Sequence, residues 1–131
     1  MTIERTGAIG VLVVDDQPTF LAVARTVVGI ASGFEVIAQA ESGERAVAVA
    51  SEMSPELVLM DINLGGINGV EATRRILAEH PDTVVVLMST YTAEDLPADA
   101  TTCGAARYVH KEDLSPSVLR EIWDEQRPAD D

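Results

Sequence analysis

The chain has 131 residues, enough for one domain with a single buried core, and its 47% apolar and 24% charged residues exclude a disordered chain. Aromatic residues make up only 4%, so the core has to be built from Val, Ile, Leu, Ala and Met. A formal net charge of −13 sets the chain against direct nucleic-acid binding, because phosphate backbones repel such a surface, and the single cysteine, Cys103, excludes an internal disulfide.

The N-terminus, Met1-Thr2-Ile3-Glu4-Arg5, lacks the basic run and apolar segment of a secretion signal. The longest apolar stretches are strand-sized, short of the roughly 20 residues a membrane span needs. The expectation is a cytoplasmic protein with no membrane partner. Cys103, in Thr102-Cys103-Gly104-Ala105 with no second thiol, is expected to act as a small half-buried hydrophobe.

Four apolar runs are read as strands: Ile9 to Val14, Phe34 to Ala38, Leu57 to Met60 and Val84 to Met88. Two of them are almost continuously aliphatic, the pattern of strands buried on both faces of a parallel sheet. A fifth, more polar candidate is Ala106 to His110. The first helix opens at Pro18, carries Phe20, Leu21, Ala24, Val27 and Val28 at helical spacing, and is ended by Gly33. Ser42 caps a second helix that stops before Pro55, and a third runs from Val70 to Glu79 and is closed by His80-Pro81. Ser115-Pro116 opens the last helix, which runs through Trp123.

The fourth helix belongs between Thr92 and Gly104, but Pro97 lies inside that stretch and Thr101-Thr102 are poor helix formers, so it is expected to be short or irregular. The β-α alternation predicts a doubly wound α/β domain with a parallel sheet. The segment from Gln126 to Asp131 is polar and expected to fray.

In a doubly wound sheet, ligands bind beyond the carboxyl ends of the strands. Polar residues stand at those ends. The first strand runs into Asp15-Asp16, the third into Asp61, the fourth into Ser89 and the fifth into Lys111. A lone acid after a strand is often a helix cap, and for Asp16, just ahead of Pro18, that reading stays open. Three carboxylates, a hydroxyl and an ammonium at one sheet edge exceed what caps explain. Clustered carboxylates remain ionised only around a cation, and hard oxygen ligands without imidazole or thiolate select Mg²⁺. One carboxylate can then attack phosphorus, with the lysine and hydroxyl meeting the charged oxygens of the transferred group.

The pieces Val13-Val14-Asp15-Asp16, Val58-Leu59-Met60-Asp61-Ile62-Asn63, Asn68-Gly69-Val70-Glu71-Ala72-Thr73, Leu87-Met88-Ser89-Thr90-Tyr91, Gly104-Ala105 and Lys111 resemble the receiver domain of two-component response regulators. The likeness runs from about Ile9 to Trp123. It implies a flavodoxin-like receiver fold over 8–127, a doubly wound five-stranded parallel sheet with helices on both faces, with a short extension at 1–7 and a tail at 128–131. It also implies a sensor histidine kinase as phosphodonor and Asp61 as phosphoacceptor. Asp15 and Asp16 match the acidic pair that holds Mg²⁺, together with Asp61 and the backbone carbonyl of Asn63. Ser89 matches the hydroxyl that bonds the phosphoryl group, Lys111 the cation that pairs with it, and Tyr91 the aromatic that changes rotamer on activation.

Some positions depart from the family pattern. Leu64-Gly65-Gly66 stands where a proline is usual, which predicts a freer loop. Lys111 is followed by Glu112, not proline; this and the run Glu71-Ala72-Thr73-Arg74 are closer to the NarL/FixJ subfamily. His110 stands where aliphatics predominate, and two roles are open to it: a strand-end residue hydrogen-bonded to backbone, or a pH sensor.

The expected function is a phosphorylatable switch that catalyses only its own phosphorylation and dephosphorylation, with a homodimer as a further option. Its output is either a DNA-binding segment outside this chain, for transcriptional control, or protein contact and phosphorelay by a stand-alone receiver. An aspartyl-phosphate hydrolase is disfavoured because Asn63 stands where such enzymes place an acid/base Asp, and an amide cannot relay that proton. A degenerate, never-phosphorylated receiver is disfavoured by the complete acidic and basic set.

Overall fold

The computed structural model describes residues 8–90 and 98–127. The expected extension at 1–7, the tail at 128–131, Tyr91 and Pro97 lie outside the described residues. Five strands, β1 (Ile9–Val14), β2 (Phe34–Ala40), β3 (Leu57–Asp61), β4 (Val84–Ser89) and β5 (Arg107–His110), form one parallel sheet in the order β2-β1-β3-β4-β5. Among the described residues, four α-helices accompany them: α1 (Pro18–Ile30), α2 (Gly43–Met53), α3 (Gly69–Glu79) and α4 (Pro116–Gln126). The expected architecture is therefore present. The order changes direction at β1, which places the crevice for a ligand beyond the ends of β1 and β3.

Strand alternation divides the core into two layers. Leu12, Val14, Val58, Met60, Val85 and Leu87 point to one face and pack against Ala46, Val49 and Ala50 of α2 and Val70, Ala72 and Ile76 of α3. Val11, Val13, Leu57, Leu59, Val84, Val86 and Met88 point to the other, against Leu21, Ala24 and Val28 of α1 and Leu119 and Ile122 of α4. Central strands covered on both faces have to be aliphatic throughout, which is why they read as continuous apolar runs.

Helix starts follow local chemistry. The Ser42 hydroxyl accepts the Arg45 N–H at 3.1 Å, and the Ser115 hydroxyl accepts the Val118 N–H at 3.1 Å just ahead of Pro116. Helix α3 begins one residue earlier than the apolar pattern suggests, because the Asn68 side chain caps it by accepting the Glu71 N–H at 2.9 Å. Helix α2 ends with Ser54 in the left-handed conformation (φ 49°). Of the expected fourth helix, the described residues show one 3₁₀ turn, Ala98–Thr101, with Ala100 and Cys103 packed into the α2/α3 layer. Cys103, expected as a small half-buried hydrophobe, is a small hydrophobe there but lies buried within the core. No helix among the described residues is long and apolar enough to cross a membrane.

A candidate acidic phosphoacceptor site at the strand ends

Asp15 follows β1 directly, its backbone N–H still bonded to the Ala40 carbonyl of β2 at 3.1 Å. Its side chain is fully buried, and Oδ1 accepts the Gln17 N–H at 2.8 Å, which bends the chain into α1. Because Gln17 occupies the N-cap position with no side-chain cap, Asp16 has no capping duty and stays exposed. Of the two readings open for Asp16, the structure removes the cap. Asp61 ends β3 at 3% exposure, and its Oδ1 accepts the Asn63 N–H at 3.3 Å. Carboxylate oxygens of Asp15, Asp16 and Asp61 lie within 4.8 Å of one another.

Lys111, in the 3₁₀ turn Lys111–Asp113 after β5, reaches into this cluster. Its Nζ lies 2.5 Å from Asp15 Oδ2 and 3.6 Å from Asp61 Oδ1, and 4.6 Å from the centre of the Phe20 ring on α1. The ammonium is the sole partner of the buried Asp15 Oδ2 among the described residues. The aromatic face steadies the charge without offering a competing carboxylate.

Burial is the largest influence on Asp61, followed by the Asp15 charge. Together they push its pKa from 3.8 up to about 6, against the opposing pull of Lys111 and the Asn63 N–H. The result is a carboxylate that ionises at neutral pH in a setting that resists its charge. Such a group gains from any cation placed beside it.

The backbone around Asp61 is fixed by close approach. Gly69 N–H donates to the Ile62 carbonyl at 2.9 Å, and a Cβ at Gly69 would fall on the Asp61 carbonyl oxygen and within 2.9 Å of Ile62 Cα. The loop between carries Gly66 at φ +74°, and the Glu44 carboxylate at the start of α2 accepts the Ile67 N–H at 3.0 Å. The loop expected to be freer is thus tied to α2, and that hydrogen bond holds the Glu44 carboxyl below its usual range.

Ser89 is fully buried at the end of β4. It continues the Val85–Leu87 row, and the β4–β5 register sets Leu87 opposite Tyr108. Tyr108 therefore stands diagonal to Ser89 on the same face, and the two side chains hydrogen-bond. Burial raises the Tyr108 phenol above its ordinary pKa, while the Ser89 bond works in the other direction. Tyr108 is a functional candidate that the strand-end argument missed; only the strand register shows that it reaches Ser89. Tyr91, the aromatic expected in that role, lies outside the described residues.

His110 is hydrogen-bonded to backbone on both ring nitrogens, as the first of its two readings expected. Nδ1 accepts the Glu112 N–H at 3.2 Å, and Nε2 lies 3.0 Å from the Thr90 carbonyl oxygen.

The donor set suits a hard divalent cation: carboxylate oxygens converge, and one buried oxygen is held by an ion pair alone. Asp15, Asp16 and Asp61 could hold it.

Comparison with known proteins agrees with this geometry. The family model of the response regulator receiver domain matches residues 11–123. Response regulator GacA of Pseudomonas viridiflava is 39% identical over 103 residues, which cover 79% of this chain and 48% of GacA. Transcriptional regulatory protein DegU of Brevibacillus brevis is 35% identical over 114 residues, covering 87% of this chain and 48% of DegU. The chain spans about half the length of these curated relatives. The crystal structure of a LuxR-family two-component response regulator from Aurantimonas sp. SI85-9A1 superposes with a TM-score of 0.78 at 27% identity, covering 87% of this chain and 81% of that one. With most of its length matched by the family model and its acids at the expected strand ends, the chain belongs to the response regulator receiver domain family.

Proposed function

We propose that this receiver domain accepts a phosphoryl group on Asp61 from a sensor histidine kinase and uses the event to switch a protein-interaction face. One observation carries the reading: a buried carboxylate at the end of β3, with its pKa raised to about 6, lies among two further carboxylates and 3.6 Å from an ammonium. An Asp61 oxygen attacks phosphorus, the phosphorus–nitrogen bond of the donor phosphohistidine breaks, and the imidazole leaves as an acyl phosphate forms.

Asp15, Asp16, Asp61 and the backbone carbonyl of Asn63 would hold Mg²⁺. When bound, the ion supplies positive charge to the oxygens of the transferring group. Lys111 supplies a second positive charge from the β5 side, and Ser89 a hydroxyl donor from β4. A phosphoryl group adds roughly −1.5 to −2 charges and three acceptor oxygens. Drawing Ser89 toward those oxygens competes with its bond to Tyr108, so the Tyr108 ring changes its contacts when Ser89 moves. That links the acceptor to the face formed by the β4–β5 crossover, β5 and α4, as a shift between two populations. Tyr91 is proposed as the aromatic that changes rotamer on activation.

The output proposed is transcriptional control, which is what the printed name of DegU states for that relative. In this reading the DNA-binding element is a separate segment, since the −13 net charge of this chain makes it a poor partner for nucleic acid.

The test is labelling by acetyl phosphate and Mg²⁺. The expected product is one acyl phosphate per chain, cleaved by hydroxylamine, absent with EDTA and absent in Asp61→Asn. Undiminished labelling of Asp61→Asn would show that another residue is the acceptor.

A further inference from the structure

We propose that His110 is a positioning residue that clamps the Ser89 and Lys111 ends of the phosphoryl site together through the backbone of the residue following each. The inference rests on the reading of Ser89 and Lys111 given above. It comes from two hydrogen bonds on one imidazole. The Glu112 N–H, immediately after Lys111, donates to Nδ1 at 3.2 Å, and the Thr90 carbonyl, immediately after Ser89, lies 3.0 Å from Nε2.

The chemistry of those partners fixes the state of the ring. An amide N–H only donates and a carbonyl only accepts, so Nδ1 must carry the lone pair and Nε2 the proton. His110 is held as the neutral Nε2–H tautomer. An aliphatic side chain at this position could make neither bond.

Position gives the clamp its consequence. Ser89 and His110 are register partners on adjacent parallel strands, so the ladder already sets these strand ends side by side. Beyond that pair the ladder stops. Thr90 is a bend, and Lys111–Asp113 a single 3₁₀ turn whose N-cap is His110 itself. The imidazole thus continues the link between β4 and β5 by one residue beyond Ser89 and by two beyond His110 itself, at the level where Ser89 and Lys111 must address one phosphoryl group. Without it, each end has to be ordered separately when the ligand arrives, and that entropy is subtracted from binding.

The two bonds separate by substitution. His110→Asn retains an N-cap oxygen for the Glu112 N–H but is too short to reach the Thr90 carbonyl. His110→Gln keeps a donor that reaches as far as Nε2. His110→Val keeps neither. The measurement is apparent affinity for beryllofluoride in the presence of Mg²⁺, with thermal unfolding of each variant alongside. His110→Asn should bind roughly 3- to 10-fold more weakly than the unsubstituted protein, the range expected for one lost hydrogen bond, and His110→Val, which loses both, at least as weakly. His110→Gln, which keeps only the bond to Thr90, should weaken binding likewise, and binding as tight as the original would show that the Glu112 bond plays no part; His110→Asn should keep the original thermal midpoint.

If His110→Asn binds as tightly as the original, His110 is only a cap and the clamp is overturned. Since His110→Asn retains the cap, this comparison survives even if His110→Val fails to fold. Imidazole nitrogen shifts of the unliganded protein give a second readout, where a proton on Nδ1 would also overturn the proposal. Should the unsubstituted protein show no beryllofluoride binding, the phosphoryl reading fails instead, and the tautomer measurement still decides the clamp.

Discussion

Replacing Asp61 by Asn should make the metal-free protein more stable at neutral pH, although it removes the proposed acceptor. The folded pKa of Asp61 is about 6 against an ordinary 3.8, so the folded state holds the proton more tightly than the unfolded chain does. Its contribution favours folding most below pH 4 and is lost as pH rises through about 6. Above that, the buried carboxylate is a charge opposed by Asp15 and by its own desolvation. The interval from 3.8 to about 6 corresponds to about 3 kcal/mol. Asparagine mimics the neutral acid in shape and can still accept the Asn63 N–H, so Asp61→Asn should gain up to about that much at pH 7. For a domain of this size, that is a rise in melting temperature of about 10 °C. Urea unfolding of both proteins from pH 4 to pH 8, without divalent ions, makes the comparison. The stability gap should be widest above pH 7 and shrink toward pH 4. A variant no more stable at pH 7, or a gap independent of pH, would refute the account of burial and like charge.

Three further substitutions probe the supporting geometry. Gly69→Ala places a methyl group on the Asp61 carbonyl and near Ile62 Cα, both backbone groups that cannot turn aside, so unfolding measurements should show a loss of about 3 kcal/mol or more. Glu44→Ala removes the acceptor of the Ile67 N–H; hydrogen exchange at Ile67 should accelerate while exchange in β3 stays unchanged. Ser89→Ala removes the bond that lowers the Tyr108 pKa, so the Tyr108 phenol should titrate at still higher pH when followed at 295 nm, and an unchanged or lower value would dissociate the two side chains.

Much of the fold was legible because its signal is local. Strands covered on both faces must be aliphatic, and Ser42, Ser115 and Pro116 mark helix starts by the hydrogen bonds they make or lack. The site was legible for the related reason that a parallel sheet delivers the residues after its strands to one edge, so Asp15, Asp61, Ser89 and Lys111 could be gathered without coordinates. What stayed hidden depends on register or on contacts between distant segments. The Tyr108–Ser89 pair exists because Leu87 lies opposite Tyr108 and not one residue away. Glu44 reads as an acid in the first turn of a helix, a place acids favour for the helix dipole alone, and nothing local shows that it holds Ile67 N–H, 23 residues away. Asp16 read equally well as a cap, until the Asp15 side chain proved to take the Gln17 N–H.

The balance of charge in the site explains why the groups that define it oppose stability. Three carboxylates face one ammonium, and that ammonium is closest to Asp15 at 2.5 Å, leaving Asp61 with the more distant share at 3.6 Å. A closer pairing of Lys111 with Asp61 would lower the pKa of Asp61 and stabilise the fold. It would also leave a carboxylate with little to gain from a new partner. The pairing with Asp15 leaves Asp61 partly uncompensated, and the Phe20 ring lies 4.6 Å from the Lys111 ammonium. Gly69 and the Glu44 hydrogen bond keep the β3–α3 connection from relaxing the carboxylate outward to solvent. Fully satisfying Asp61 would therefore make this a more stable domain and, in the proposed function, a poorer acceptor, the opposition expected where a group is left uncompensated for function.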